Sequence, residues 1–123
     1  PARWVAARAS GGAPSWLYHF SYVATAQRDR VPGAAHGAEI IYVFGTGSKL
    51  AGRMITEEDR GMEALIHACW VAFARDGRPA CGGKSWPAYT PAEDRLMEFG
   101  VQSDVRQGFR QPFMKAAEAA AGY

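Results

Sequence analysis

A histidine and a carboxylate placed three residues apart carry the clearest chemistry in this sequence. His36 is followed directly by Gly37 and then, after Ala38, by Glu39. The neighbours of His36 are small and leave its imidazole uncovered, and the glycine beside it opens backbone conformations that other residues avoid. This setting suits a proton-transfer group at the mouth of a cleft, but a lone histidine at a turn is more often a solvated loop residue. The spacing alone leaves both interpretations open.

The elements that must position this loop are predicted from the period of apolar residues and from turn residues. Residues 15–23 alternate aromatic with mixed side chains, the period of two that indicates a strand. His19 lies on the mixed face of this strand, where we predict a structural or surface role. The run at 40–44 is ambiguous, although its β-branched and aromatic content favours a strand. Residues 46–54 are Gly-rich and polar and predict a loop.

The strongest helix prediction begins after Thr56, a good N-cap residue that is followed by acidic residues in the first turn. Gly77 suits the position just past the end of this helix, and Pro79 blocks its continuation. His67 falls off the apolar face, four residues after Glu63, and we predict a solvated pair of these two side chains. The apolar face itself consists of Met62, Leu65, Ile66, Cys69, Trp70 and Phe73.

The remaining segments carry weaker signals. Residues 4–10 predict a short helix, and Leu96–Phe99 predicts a short strand. Residues 104–120 predict one terminal helix with Val105 and Phe109 on one side, which Pro112 either interrupts or starts.

The two cysteines give no metal motif and no disulfide framework. Cys69 lies on the apolar face of the long helix and is predicted to be a small buried hydrophobic residue. Cys81 lies in a Gly-rich loop, as a free thiol or as a partner of something outside this chain. The redox compartment is left open, and no metal site is predicted.

Length and composition bound the classes of protein to which this chain can belong. The 123 residues allow one domain with a real core, and 48% hydrophobic and 21% charged residues are typical of a soluble globular chain. The net charge of +2 comes with scattered basic residues, so neither a nucleic-acid nor a membrane partner is expected. Eleven of the 14 basic residues are arginines, and together with the many alanines they predict a bacterial source.

Several short motifs occur in an order that a known family shares. They are His36-Gly37-x-Glu39, the closing run Tyr42-Val43-Phe44-Gly45, the helix motif Trp70-x-x-Phe73-Ala74-Arg75-x-Gly77-x-Pro79 and the element Trp86-Pro87-x-Tyr89. In these motifs the chain resembles the type-B carboxylesterases, the serine hydrolases that include the cholinesterases. The likeness extends over about residues 15 to 100.

The resemblance implies that residues 1–123 form the C-terminal portion of a single α/β-hydrolase domain, an α/β fold, with residues 40–44 helical. It assigns His36 as the base that takes a proton from a serine and gives it to the leaving alcohol. Gly37 and Glu39 are implied to support this loop. A buried, hydrogen-bonded Glu39 and a solvated Glu39 are both open interpretations.

The function that the resemblance implies is hydrolysis of small-molecule carboxylic esters through an acyl-enzyme, without any cofactor. The chain contains no Gly-x-Ser-x-Gly, and the family places the triad acid before the histidine, so nucleophile and acid are expected in an N-terminal part absent here. The segment alone is therefore expected to be inactive, because triad residues act as a unit. We also expect it to self-associate or to stay bound to that missing part.

Two other classes of function compete with this one. A non-catalytic adhesion or interaction protein of the same fold could keep the histidine without a serine. An independent small α+β binding module could resemble the esterases by accident. The first differs from an esterase by lacking the Gly-x-Ser-x-Gly elbow, and the second would have a self-sufficient sheet.

Overall fold

The computed structural model describes residues 2–122, without the side chains of residues 51 and 53. Five helices and three strands are joined by turns and loops, among which 25–27 and 52–54 are 3-10 turns. In chain order the elements are α1 (Ala2–Ala9), β1 (Tyr18–Phe20), α2 (Ile40–Val43), α3 (Gly47–Ala51), α4 (Glu57–Asp76), β2 (Arg95–Phe99), β3 (Asp104–Gln107) and α5 (Gln111–Ala120).

The three strands form one mixed sheet in the order β1-β2-β3. β1 runs parallel to β2, with Phe20 opposite Phe99. β3 runs antiparallel to β2, with Val105 opposite Met97. Within residues 2–122 no strand pairs with the other edge of β1, which leaves that row of backbone groups open to a further strand.

Helix α4 packs its apolar face against this sheet. Its start is fixed by a capping box between Thr56 and Asp59, and its end by Gly77, whose φ of 70° is left-handed and whose N–H donates to Phe73 O. Both ends confirm the predicted helix. The core between α4 and the sheet contains Tyr22, Tyr42, Met62, Ile66, Cys69, Cys81, Trp86, Met97 and Phe99.

The predicted strand over residues 15–23 is wrong in its length, because only Tyr18–Phe20 belong to the sheet. Beyond Phe20 the N–H groups of Ser21 and Tyr22 both donate to Phe99 O, so the chain leaves the ladder there. Before Tyr18, the carbonyl of Leu17 accepts from both the backbone N–H of Met97 and the indole of Trp86. The aromatic alternation instead reflects side-chain packing, since Tyr18 contacts Trp70 of α4 and Phe20 contacts Tyr42 of α2.

The ambiguous run at 40–44 is helical, as the family resemblance implied, and forms α2. The loop predicted for residues 46–54 is wrong, since it contains α3 and a 3-10 turn. Thr46 O accepts from the N–H groups of Lys49 and Leu50, which closes the first turn of α3 locally.

The single terminal helix predicted for residues 104–120 is also wrong. Its first part is β3, and only Gln111–Ala120 are helical. Gly108 separates the two with a φ of 60°, and its N–H donates to Asp94 O. Pro112 lies in the first turn of α5, where its missing N–H costs nothing. None of the described helices is long and apolar enough to cross a bilayer.

The two cysteines form a disulfide, with an S–S distance of 2.08 Å. The predicted free or externally paired Cys81 is therefore wrong, whereas Cys69 is buried as predicted and is disulfide-bonded. The chain reverses after Gly77, which returns Cys81 to the side of α4 that carries Cys69, and the Cα atoms come within 4.4 Å of each other. The link joins α4 to the loop that precedes Trp86.

Candidate active site

His36 lies on the loop that leads into α2, and its side chain is exposed. Within residues 2–122 its imidazole has no hydrogen-bond partner. Gly37 has a φ of 76°, a left-handed conformation that side chains rarely adopt, and a Cβ there would lie 3.4 Å from Ile40 Cδ1. The carbonyl of Gly37 accepts from Ile40 N at 3.2 Å and so begins α2. Gly37 thus sets how the loop turns directly after the histidine.

Glu39 is half-buried at the start of α2. Its carboxylate accepts a long hydrogen bond, 3.4 Å, from the hydroxyl of Tyr18 on β1. Burial, together with the negative charge of Glu39 and this hydrogen bond, raises the pKa of Tyr18. The carboxylate thus contacts the sheet, and its support of His36 stays a prediction.

An open groove of about 620 Å³ runs beside the histidine loop. Ala35 and Gly37, the residues on either side of His36, both line it, whereas the side chain of His36 does not, so the histidine lies next to the groove along the chain. The walls are mostly small and apolar, as in many small-molecule sites. The remaining lining residues are Tyr22, Val23, Ala24, Gln27, Val31, Pro32, Gly33, Ala34, Ala38, Ile41 and Tyr42.

The wall of the groove at residues 22–27 is held to α4 by Asp59, which is only 3% exposed. One carboxylate oxygen accepts from the Tyr22 hydroxyl at 2.7 Å and from Thr25 N at 2.9 Å. The other accepts from Thr56 N at 2.9 Å and from the Thr56 hydroxyl at 2.7 Å. Burial alone would raise the pKa of Asp59, but these hydrogen bonds outweigh it and hold that pKa well below its usual range.

A second contact ties the same wall to α4. The guanidinium of Arg28 donates to both carboxylate oxygens of Glu58 and to Val23 O, the latter at 3.1 Å. The pair is partly exposed, so it orients the segment more than it stabilises the fold.

The far end of α2 is held to α4 by His67 and Glu63. His67 Nδ1 lies 2.8 Å from Val43 O, a contact in which the ring must donate. The ring also packs on Gly45, where a Cβ would lie 3.4 Å from Nδ1. Glu63 is buried and accepts from the backbone N–H of Ser48 at 3.0 Å and from its hydroxyl. The predicted Glu63–His67 pair is therefore wrong, because each side chain binds a different segment.

The anchoring roles of these residues were not predicted from the sequence, although their spacing carried a signal. Asp59, Glu63 and His67 recur every four residues along α4, next to the apolar face. No feature of the sequence indicated that their hydrogen-bond partners are Thr25, Val43 and Ser48. In the part of the chain that the structure describes, no group of three or more His, Cys, Asp or Glu side chains is arranged to hold a metal ion.

Comparison with known proteins decides the family. A sequence model described as "Carboxylesterase family" matches residues 1–117. The chain belongs to the carboxylesterase family. This confirms the resemblance and excludes an independent module that is similar by accident.

Curated carboxylesterases match the chain along part of their length. Carboxylesterase 1C of Rattus norvegicus is 36% identical over 89 residues, 69% of this chain and 16% of the relative. The liver carboxylesterase of Sus scrofa is 32% identical over 98 residues, 76% of this chain and 17% of the relative. The chain thus spans about a sixth of the length of these relatives. Both are mammalian, so the bacterial source stays a prediction.

Solved esterase structures share the fold of this carboxylesterase-family chain. A structure titled PNB esterase has a TM-score of 0.76 at 24% identity, covering 89% of this chain and 23% of that one. A carboxylesterase of Geobacillus stearothermophilus has a TM-score of 0.69 at 26% identity, covering 88% of this chain and 22% of the other. The chain therefore has part of an α/β-hydrolase fold, as the resemblance implied.

Proposed function

We propose that this chain supplies the general base of a carboxylic ester hydrolase and that the base is His36. The observation that supports this most is an exposed imidazole between two residues that line an apolar groove, on a loop whose turn depends on the left-handed backbone of Gly37. The names of the rat and pig relatives support the same reaction class. The base must reach both a serine hydroxyl and a leaving alcohol, which requires an uncovered ring.

In this mechanism the imidazole of His36 takes the serine proton as the serine oxygen attacks the ester carbonyl. The resulting imidazolium gives that proton to the alkoxide that leaves, which yields an alcohol and an acyl-enzyme. Water then repeats the sequence, and the carboxylic acid is released. No cofactor takes part in these steps.

The nucleophile and the acid are proposed to come from a part of the fold that precedes these residues. The 123 residues contain no Gly-x-Ser-x-Gly, the strained turn on which this fold presents its serine. The open edge of β1 is where the remaining sheet would pair with this segment. Alone, the segment would expose that edge and self-associate.

We propose Glu39 as a support of the loop and not as the triad acid. Its contact with the Tyr18 hydroxyl fixes the start of α2 against β1. The groove beside His36 would accept the apolar part of a small ester, because its walls are largely aliphatic.

The test compares the 123-residue chain with the intact polypeptide that carries it. A fluorophosphonate probe should label the intact polypeptide and leave the chain alone unlabelled. In the intact polypeptide, His36→Gln should lower kcat for a p-nitrophenyl ester by roughly 10⁶-fold. His19→Gln is the matched control, since His19 packs on Phe109 away from the groove, and it should keep full activity.

Two outcomes would contradict the proposal. Stoichiometric labelling of the isolated chain would mean that it holds its own nucleophile. An intact polypeptide that is folded but neither labelled nor active would instead indicate a non-catalytic interaction protein of the same fold.

A further inference from the structure

Three polar side chains recur every four residues along α4, and each binds a segment that flanks the His36 loop. We propose that Asp59, Glu63 and His67, here called the polar ladder, position His36 by holding both ends of its loop. Residues spaced by four lie on one side of a helix, about 6 Å apart along its axis. The catalytic part of this inference rests on the proposed function, whereas the structural part does not.

The loop has few interactions of its own. In the described structure the N–H groups of residues 33–37 donate to no protein acceptor, whereas Val31 N donates to Gln27 O and Ala38 N to Ala35 O. A segment with so few internal hydrogen bonds takes its position from the points at which it is anchored. Those points lie on either side of residues 31–38.

The entry to the loop is anchored by Asp59. Its carboxylate binds Thr25 N at 2.9 Å, directly at the 3-10 turn that leads to the loop, and also binds the Tyr22 hydroxyl. Tyr22 in turn packs edge-on against Tyr42 of α2, with 5.8 Å between ring centroids. Asp59 therefore holds the segment before the loop directly and contacts the segment after it through Tyr22.

The exit from the loop is anchored by Glu63 and His67, the two later residues of the polar ladder. His67 donates to Val43 O, the carbonyl of the last residue of α2, which has no partner within that short helix. Glu63 binds Ser48 at the start of α3. Because the carbonyl of Gly37 accepts from Ile40 N at the start of α2, a shift of the far end of this short helix moves the histidine loop with it.

The consequence for catalysis is geometric. A general base displaced by about 1 Å loses roughly 100-fold in rate even where binding is unchanged. The rungs touch neither substrate nor His36, so they are positioning residues. Their loss should lower kcat per active site and leave KM nearly unchanged.

The exit rungs are the better targets, because each has a conservative variant. His67→Ala removes the donor to Val43 O, whereas His67→Asn keeps an N–H at the place of Nδ1. Glu63→Ala removes the acceptor for Ser48, whereas Glu63→Gln keeps one oxygen. Glu57→Ala is the matched control, because that side chain is 96% exposed on the same helix.

Hydrogen exchange of the intact polypeptide reports on the loop directly. His67→Ala should speed exchange in peptides covering 38–46 by roughly three- to tenfold, the effect of losing one solvent-accessible hydrogen bond to Val43 O. Glu63→Ala should act in the same way on 46–50. The Asn and Gln variants should restore both rates, and peptides from β2 and β3 should stay unchanged throughout.

Activity is measured on the same variants, with active sites counted by fluorophosphonate titration. We expect His67→Ala to lower kcat per site by roughly tenfold or more, with recovery in His67→Asn. If the alanine variants left hydrogen exchange at residues 38–50 unchanged, or sped exchange equally in β2 and β3, the polar ladder would not anchor the loop. Local acceleration with unchanged kcat per site would overturn its positioning role. Faster exchange at residues 38–50 in a polypeptide that lacks esterase activity would support the anchoring contacts and refute the proposed function.

Discussion

Replacing Asp59 with asparagine should lower the free energy of unfolding by about 3 kcal/mol at pH 7. The carboxylate accepts from Tyr22 and Thr25 on one oxygen and twice from Thr56 on the other. Asparagine keeps a single acceptor oxygen and turns its NH₂ towards two donors. Two hydrogen bonds to a charged acceptor are then lost, each worth about 1.5 kcal/mol.

The same substitution should change how stability depends on pH. The pKa of Asp59 in the folded protein lies below its unfolded value, so its contribution is fully present above about pH 4. That contribution is lost as the pH falls through the unfolded value towards the folded one. The difference between the wild-type protein and Asp59→Asn should therefore be largest near neutral pH and shrink below about pH 4.

Urea unfolding of the intact polypeptide, followed by tryptophan fluorescence, measures both effects, because Trp86 is buried in the core beside the half-buried Trp70. The midpoint should fall while the slope stays constant, which marks a change in stability alone. Glu57→Gln is the control: its exposed charge in the first turn of α4 should be worth about 0.5 kcal/mol. A loss below about 1 kcal/mol for Asp59→Asn, or a loss that does not shrink in acid, would refute the reasoning.

Three further substitutions test other features. Gly37→Ala forces a side chain into the left-handed region and should cost about 1–2 kcal/mol in a thermal melt and lower the esterase activity of the intact polypeptide. Replacing Cys69 and Cys81 with alanine removes a link across a separation of 12 residues and should lower the unfolding free energy by about 3 kcal/mol, read from the urea midpoint. Gly100→Ala places a Cβ 2.6 Å from Ser21 Oγ and should cost about 2 kcal/mol by the same assay, with partial recovery when Ser21→Ala is added.

The parts of the fold that the sequence predicted correctly are those whose signals are local. Thr56 with its acids and Gly77 fixed the two ends of α4, because capping depends on neighbouring residues alone. The helical α2 was different. Propensity favoured a strand there, and only the order of motifs around His36 indicated a helix.

The features that the sequence did not predict depend on partners that are far away along the chain. Val105 and Phe109 are spaced as on a helix, yet Val105 pairs with Met97 in the sheet. The disulfide needed the chain reversal after Gly77, which two isolated cysteines do not encode. The site divides in the same way: His36 and Gly37 are visible as a motif, whereas an anchor such as Asp59 is recognised only once Thr25 lies beside it.

The regular spacing on α4 limits how this part of the chain tolerates changes in length. A single residue inserted between Asp59 and Glu63 would rotate everything after it by about 100° around the helix axis. Glu63 and His67 would turn away from Ser48 and Val43, and Cys69 would lose its disulfide partner. An insertion in the exposed turn after Gly100 would leave these contacts in place. Among homologues, α4 should therefore keep a constant number of residues while that turn varies.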